Sequence, residues 1–174
     1  QDNPRFSNYL TNENIDWVYK TAPLHDIGKV GIPDKILYKE GKLTKKEFEI
    51  IKQHPTYGRK AIEKAEKNLG SNTFLKFARE IVATHHEKWD GSGYPDGLEG
   101  EEIPIPGRLM ALADVYDALV NRRVYKPAFS HPKAVKIITE GDGRTMPDHF
   151  DPDVLDAFVN LKDQFKRIAT TFSK

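Results

Sequence analysis

A chain of 174 residues can bury roughly two thirds of the surface its unfolded form exposes, so one domain with a real core is expected. Lys and Arg total 27 against 26 for Asp and Glu, and a net charge of +1 supplies none of the broad positive field that duplex nucleic acid selects. The absence of Cys excludes disulfides and thiolate ligands and suits a reducing, cytoplasmic setting, and no apolar run nears the roughly 20 residues needed to cross a bilayer, so no membrane contact is expected.

The apolar spacing is helical almost throughout, and no clean alternation is long enough for a strand, so the expected fold class is all-α. A first helix begins near Asn12 with Ile15, Val18, Tyr19 and Ala22 on one face, and runs toward Leu24 and HDIGK, where Gly28 is the expected stop. Asp34 is expected to cap a short turn. Thr44 and Glu47 make a Thr-x-x-Glu capping box for a helix carrying Phe48 and Ile51, which ends near His54 because Pro55 disfavours helical geometry at the residue before it. A helix from about Thr56 to Leu69 closes at Gly70, and the next, from about Thr73, carries Phe74, Phe77, Ile81 and Val82 up to His85 and His86. After a proline-rich loop, a helix from about Gly107 to Asn121 presents Leu109, Leu112, Val115, Tyr116 and Leu119 and carries Asp114. Ser130 is expected to cap a helix over about 133–140, and Asp151 followed by Pro152 opens a final amphipathic helix.

Four of the six histidines, His25, His54, His85 and His86, fall at predicted helix ends or in the loops that follow. Without Cys, imidazoles and carboxylates are the ligands left for a borderline divalent ion such as Fe, Mn, Ni or Zn, rather than for Ca or Mg with their all-oxygen shells. The carboxylates to match are Asp26, beside His25, and Asp114, set among Leu112, Ala113 and Val115, where a bare charge is costly. Neighbours on a helix point about 100° apart, so His85 and His86 are expected to serve different ions, and Asp26, with two oxygens, is the candidate bridge. A metal pair roughly 3.5 to 4 Å apart can clamp a phosphodiester, activating a water for in-line attack while steadying the leaving oxygen. His131, after Ser130, reads as a surface residue, and His149, in HFDP, as a structural one.

HDIGK at His25 to Lys29, HP at His54, HHEKWDGSGYP at His85 to Pro95 and ADVYDAL at Ala113 to Leu119 together resemble the HD-GYP phosphodiesterases, a branch of the HD metal-dependent phosphohydrolases. The likeness runs over about residues 4–172, and the long third motif, with Gly93, Tyr94 and Pro95 intact, is its most specific part. It implies an HD-domain-like helical bundle with a metal centre at helix ends, holding two or three divalent ions, most often iron or manganese, with nickel or zinc open. It also implies the ligand set His25, Asp26, His54, His85, His86 and Asp114, and hydrolysis of the bacterial messenger cyclic di-GMP to linear pGpG and sometimes onward to GMP. In the same likeness Asp26 and Lys29 are the catalytic pair, with Lys29 at the scissile phosphate or the leaving oxygen. Arg123 and Lys126, in NRRVYKPAFS, match positions that hold phosphate or guanine, with Arg offering a planar fork and Lys a compact charge. Gly91 and Gly93 permit a tight loop on which Tyr94 could stack on a guanine, while Trp89 reads as packing. The family also implies contacts between this loop and diguanylate cyclase domains.

The likeness has departures. Family members carry a further metal-binding His, and in trinuclear members a Glu, on a helix before the HD doublet, whereas no His precedes His25 here. The opening QDNPRFSNYL enters in mid-stride, and residues 1–174 are expected to be the output domain of a longer protein with a sensory or receiver domain upstream. The stretch GDGRTMPDHFDP reads as a surface loop slightly longer than usual. Two other readings stand beside the hydrolase: a non-catalytic cyclic dinucleotide receptor or adaptor for cyclase domains, and an HD phosphohydrolase acting on another nucleotide, such as a mixed cyclic dinucleotide.

Overall fold

The computed structural model describes residues 3–121 and 128–172, with the side chain of Phe172 left out; among the described residues every regular element is helical and none is a strand. Arg123 and Lys126 lie outside the described residues. In chain order the helices are α1 (Asn12–Thr21), α2 (Asp34–Leu37), α3 (Lys45–Ile51), α4 (His54–Leu69), α5 (Thr73–Thr84), α6 (Ile105–Val120), α7 (His131–Glu140) and α8 (Pro152–Phe172), with two 3-10 turns, Ala22–Leu24 and Ile27–Gly31, between α1 and α2. No described helix is long and apolar enough to cross a membrane.

Helix α5 is the centre of the fold because it is apolar on more than one side: Phe77, Ala78, Ile81 and Val82 are all buried, and it packs against α1, α4 and α6. A small cluster of Ile62, Leu75 and Ala78 closes the α4–α5 side. The larger core lies between α6, α7 and α8, where Leu112, Tyr116, Ile137, Ile138 and Phe158 interlock and the rings of Tyr116, Phe158 and Phe165 meet edge to face at 5.0 to 5.7 Å. The C-terminus of α5 passes close to the first turn of α6, where Thr84 lies against Gly107, and His85 follows directly after it.

Several boundaries differ from expectation, each for a local reason. Helix α1 stops at Thr21 rather than at Gly28, since Pro23 cannot continue the ladder and the chain tightens into a 3-10 turn to Leu24. Its expected apolar face is only partly covered, with Tyr19 79 % and Ile15 39 % exposed while Val18 and Ala22 are half-buried, and Trp17 meets Phe74 of α5 edge-on. Helix α3 ends at Ile51, and His54 begins α4 instead of closing the helix before it. Pro55 is tolerated there because it falls in the first turn, where its missing N–H would have had no partner anyway. The Thr44–Glu47 capping box forms in both directions. Asp34 lies inside α2 instead of capping it, and Ser130 flanks α7 without a side-chain cap bond. Asp151 does cap α8, accepting from the N–H of Asp153 at 2.9 Å.

Candidate metal centre

Three imidazoles are oriented by the backbone of the turn that precedes each. His25 Nδ1 donates to the Ala22 carbonyl (2.9 Å), His54 Nδ1 to that of Ile51 (2.7 Å), and His85 Nδ1 to those of Ile81 and Val82 (3.1 Å each). A neutral ring that donates from Nδ1 presents a bare Nε2, the arrangement a metal ligand needs. These nitrogens face Asp26, at the start of the Ile27–Gly31 turn. Asp26 Oδ1 lies 3.3 Å from His54 Nε2 and 3.9 Å from His85 Nε2. Its Oδ2 lies 3.3 Å from His25 Nε2 and 2.5 Å from Lys29 Nζ, and His25 Nε2 lies 3.9 Å from Asp114 Oδ1.

One donor atom each from Asp26, His54, His85 and His86 falls within 4.8 Å of all the others. His25 and Asp114 stand outside that group of four: His25 joins it through the second oxygen of Asp26, and Asp114 lies beyond, against His25. The angular separation expected of His85 and His86 does not apply, because α5 ends at Thr84 and both histidines sit in the turn beyond, their ring centroids 4.1 Å apart.

The donor set fits a divalent ion. His54 Nε2 and His85 Nε2 approach to 3.2 Å, lone pair toward lone pair, and Asp26 Oδ1 is buried with no hydrogen-bond donor among the described residues. Either feature is costly without a cation to share. Burial, reinforced by neighbouring imidazoles, pushes His85 down to about 3 and His86 down to about 2, so both rings are neutral at ordinary pH. Burial alone would raise the Asp26 carboxyl, but contacts with His25, His54 and Lys29 outweigh it and hold the group ionised, well below the usual carboxylate range.

A cavity of about 450 Å³ opens beside these histidines, with His85, His86, Tyr94, Phe48, Lys88 and Arg144 among its walls. The Tyr94 ring is stacked on His86 at 4.7 Å, so one of its faces is already taken, and its N–H donates to the His86 carbonyl at 3.1 Å. The loop can double back this tightly because residue 93 is glycine: a Cβ there would lie 2.4 Å from Lys88 N and 2.5 Å from Glu87 Cα. Trp89 packs as expected, with the guanidinium groups of Arg5 and Arg108 at 5.5 and 5.3 Å from its ring. His131 is not a plain surface residue, since its Nδ1 lies 2.8 Å from the Tyr116 hydroxyl.

Sequence reasoning overlooked Glu87. Only 2 % exposed, it accepts the backbone N–H groups of Asp96 (2.7 Å) and Leu98 (3.1 Å), clasping the far end of the loop to the turn that carries His85 and His86. The available signal was an acid directly after two candidate ligands in a loop rich in unpaired N–H groups. Glu87→Ala leaves two donors unsatisfied and is expected to cost about 1 to 3 kcal/mol. Amide exchange at Asp96 and Leu98 checks this: exchange should accelerate at both in the variant, and unaltered protection would contradict the clasp.

Residues 8–154 match the family model described as HD domain. The chain is 57 % identical over 169 residues to a cyclic di-GMP phosphodiesterase of Vibrio cholerae, covering 97 % of this chain and 34 % of that protein. It is 40 % identical over 164 residues to the cyclic di-GMP phosphodiesterase response regulator RpfG of Xanthomonas campestris pv. campestris, covering 94 % and 41 %. It is also 41 % identical over 156 residues to 3'3'-cGAMP-specific phosphodiesterase 2 of Vibrio cholerae, covering 90 % and 28 %. The chain thus spans well under half the length of these relatives. A family match over most of its residues, and relatives that share this same stretch, show that the chain belongs to the HD domain family, of HD-GYP type.

Proposed function

We propose that residues 1–174 are the output domain of a longer, metal-dependent phosphodiesterase that hydrolyses cyclic di-GMP to linear pGpG. The observation that carries this reading is the bare Asp26 Oδ1 among imidazole nitrogens, two of whose rings, those of His85 and His86, line a ligand-sized cavity. An upstream sensory or receiver domain is supported by the response regulator among the relatives.

Asp26 turns one oxygen toward His54 and His85 and the other toward His25, which suits a carboxylate shared by two ions. His25, His54, His85, His86 and Asp114 complete the proposed ligand set, and a nitrogen-and-oxygen shell without sulfur suits iron or manganese, with nickel and zinc also compatible. Divalent ions bound there supply charge neutralisation and water activation for in-line displacement at phosphorus. Lys29, anchored on Asp26 Oδ2, stands ready to steady a phosphate oxygen or protonate the departing 3′ oxygen as the P–O bond breaks. Tyr94 holds His86 from one side and offers its remaining surface to a base.

Manganese- or iron-loaded protein should convert cyclic di-GMP to pGpG, resolved by chromatography. Absence of product at full metal occupancy, with binding retained, would turn the reading toward a receptor. The 41 % identity to a 3'3'-cGAMP-specific enzyme favours one competing substrate, and parallel kcat/KM measurements on the two cyclic dinucleotides decide between them.

A further inference from the structure

One wall of the cavity carries chemistry that the histidine cluster does not use. Lys88, Arg144 and His149 line the same cavity as His85 and His86. The Met146 N–H donates to His149 Nδ1 (3.3 Å), which places the proton of the neutral ring on Nε2. That Nε2 lies 3.3 Å from Lys88 Nζ, so an N–H and an ammonium face one another, two donors with no acceptor between them. Asp90 Oδ2 lies 3.8 Å from it, beyond hydrogen-bond reach, and Asp90 Oδ1 is engaged by the N–H and hydroxyl of Ser92; an oxygen of the exposed Asp148 also stands within 4.8 Å of a His149 ring nitrogen, so two carboxylates border this group without accepting from His149 Nε2. Arg144 forms no ion pair among the described residues, yet its backbone is fixed: Asp142 Oδ1 accepts the N–H groups of Arg144 (2.9 Å) and Thr145 (2.8 Å). The loop expected to be a mere surface insertion therefore presents cationic and N–H donors to the cavity.

We propose that Lys88, His149 and Arg144 form a second anion subsite, which takes the phosphodiester of a cyclic dinucleotide that is not being cleaved. This rests on the phosphodiesterase reading above. A cyclic dinucleotide carries two singly charged phosphodiesters. When one lies at Asp26 and its histidines, the other enters the same cavity and requires donors of its own. A diester with a single phosphorus makes no such demand.

The test uses Lys88→Met and Arg144→Gln, singly and combined; Arg144 is exposed, so its variant keeps the fold. The measurements are the Kd of cyclic di-GMP on the metal-free chain, its KM on the metal-loaded chain, and the KM of bis(p-nitrophenyl) phosphate. Each substitution should weaken cyclic di-GMP by about tenfold or more, and at least tenfold more than it weakens the one-phosphorus diester. Equal losses on both substrates, or an unaltered Kd, overturn the subsite while leaving the hydrolase intact. Binding of cyclic di-GMP that depends on Lys88 and Arg144 without any hydrolysis overturns the phosphodiesterase and keeps the subsite. No binding and no turnover of cyclic di-GMP by the metal-loaded chain overturns both.

Discussion

Asp26→Asn is expected to lower both turnover and retained metal by at least about a hundredfold, since even the outer partners of metal ligands are worth 10- to 100-fold. The substitution keeps the shape but removes the charge that draws cations to the site, and it replaces one oxygen with an amide that cannot bridge. Which oxygen is lost hardly matters. Oδ1 faces His54 and His85 while Oδ2 faces His25 and Lys29, so either change disconnects one half of the group from the other. Lys29→Met is the informative partner, since Lys29 touches the carboxylate without being a metal ligand. It should slow turnover while metal content, read by plasma emission, stays near the wild-type value. A metal loss in Lys29→Met as deep as in Asp26→Asn would show that Lys29 is a structural brace and not an aid to the leaving group.

Gly28→Ala is expected to destabilise the fold by about 3 kcal/mol or more, at the upper end of overpacking effects. A Cβ at Gly28 would lie 1.9 Å from the His54 carbonyl oxygen and 2.5 Å from Gly58 N, both backbone atoms with no rotamer in which to escape. Relief requires the Ile27–Gly31 turn to move off the first turn of α4. Those two elements carry Asp26 and His54, whose facing atoms are 3.3 Å apart, so stability and metal retention should fall together. Thermal denaturation with and without manganese checks the coupling. A melting temperature within 1 or 2 °C of wild type would mean that the turn and α4 are not pressed together as described.

The fold was legible wherever the information is local. The Thr44–Glu47 box, the Asp151–Pro152 start and the apolar spacing of α5 and α6 follow from backbone chemistry within a few residues, and each appears where expected. The HD doublet, His54 and the His85–His86 pair were legible as candidate ligands because imidazoles clustered at helix ends in a chain without Cys are conspicuous. The rest depended on partners distant in sequence. His54 lies at the start of α4 and not at the close of α3, since Pro55 permits either reading until packing decides. Glu87 showed no pattern of its own until the N–H groups of Asp96 and Leu98 were seen to end on it. The Gly141–Pro152 stretch looked like a surface insertion because its place at the cavity depends on Lys88, more than fifty residues earlier in the chain. The exposed side of α1 marks the limit of amphipathic pattern alone, which shows that a face is apolar and not what it meets.

The most direct measurement is anomalous diffraction at the manganese edge from crystals of the metal-loaded protein. A peak about 2 Å from Asp26 Oδ1 and the Nε2 atoms of His54 and His85 is the predicted result. Manganese bound at full occupancy elsewhere, with those three atoms still facing one another uncoordinated, would contradict it.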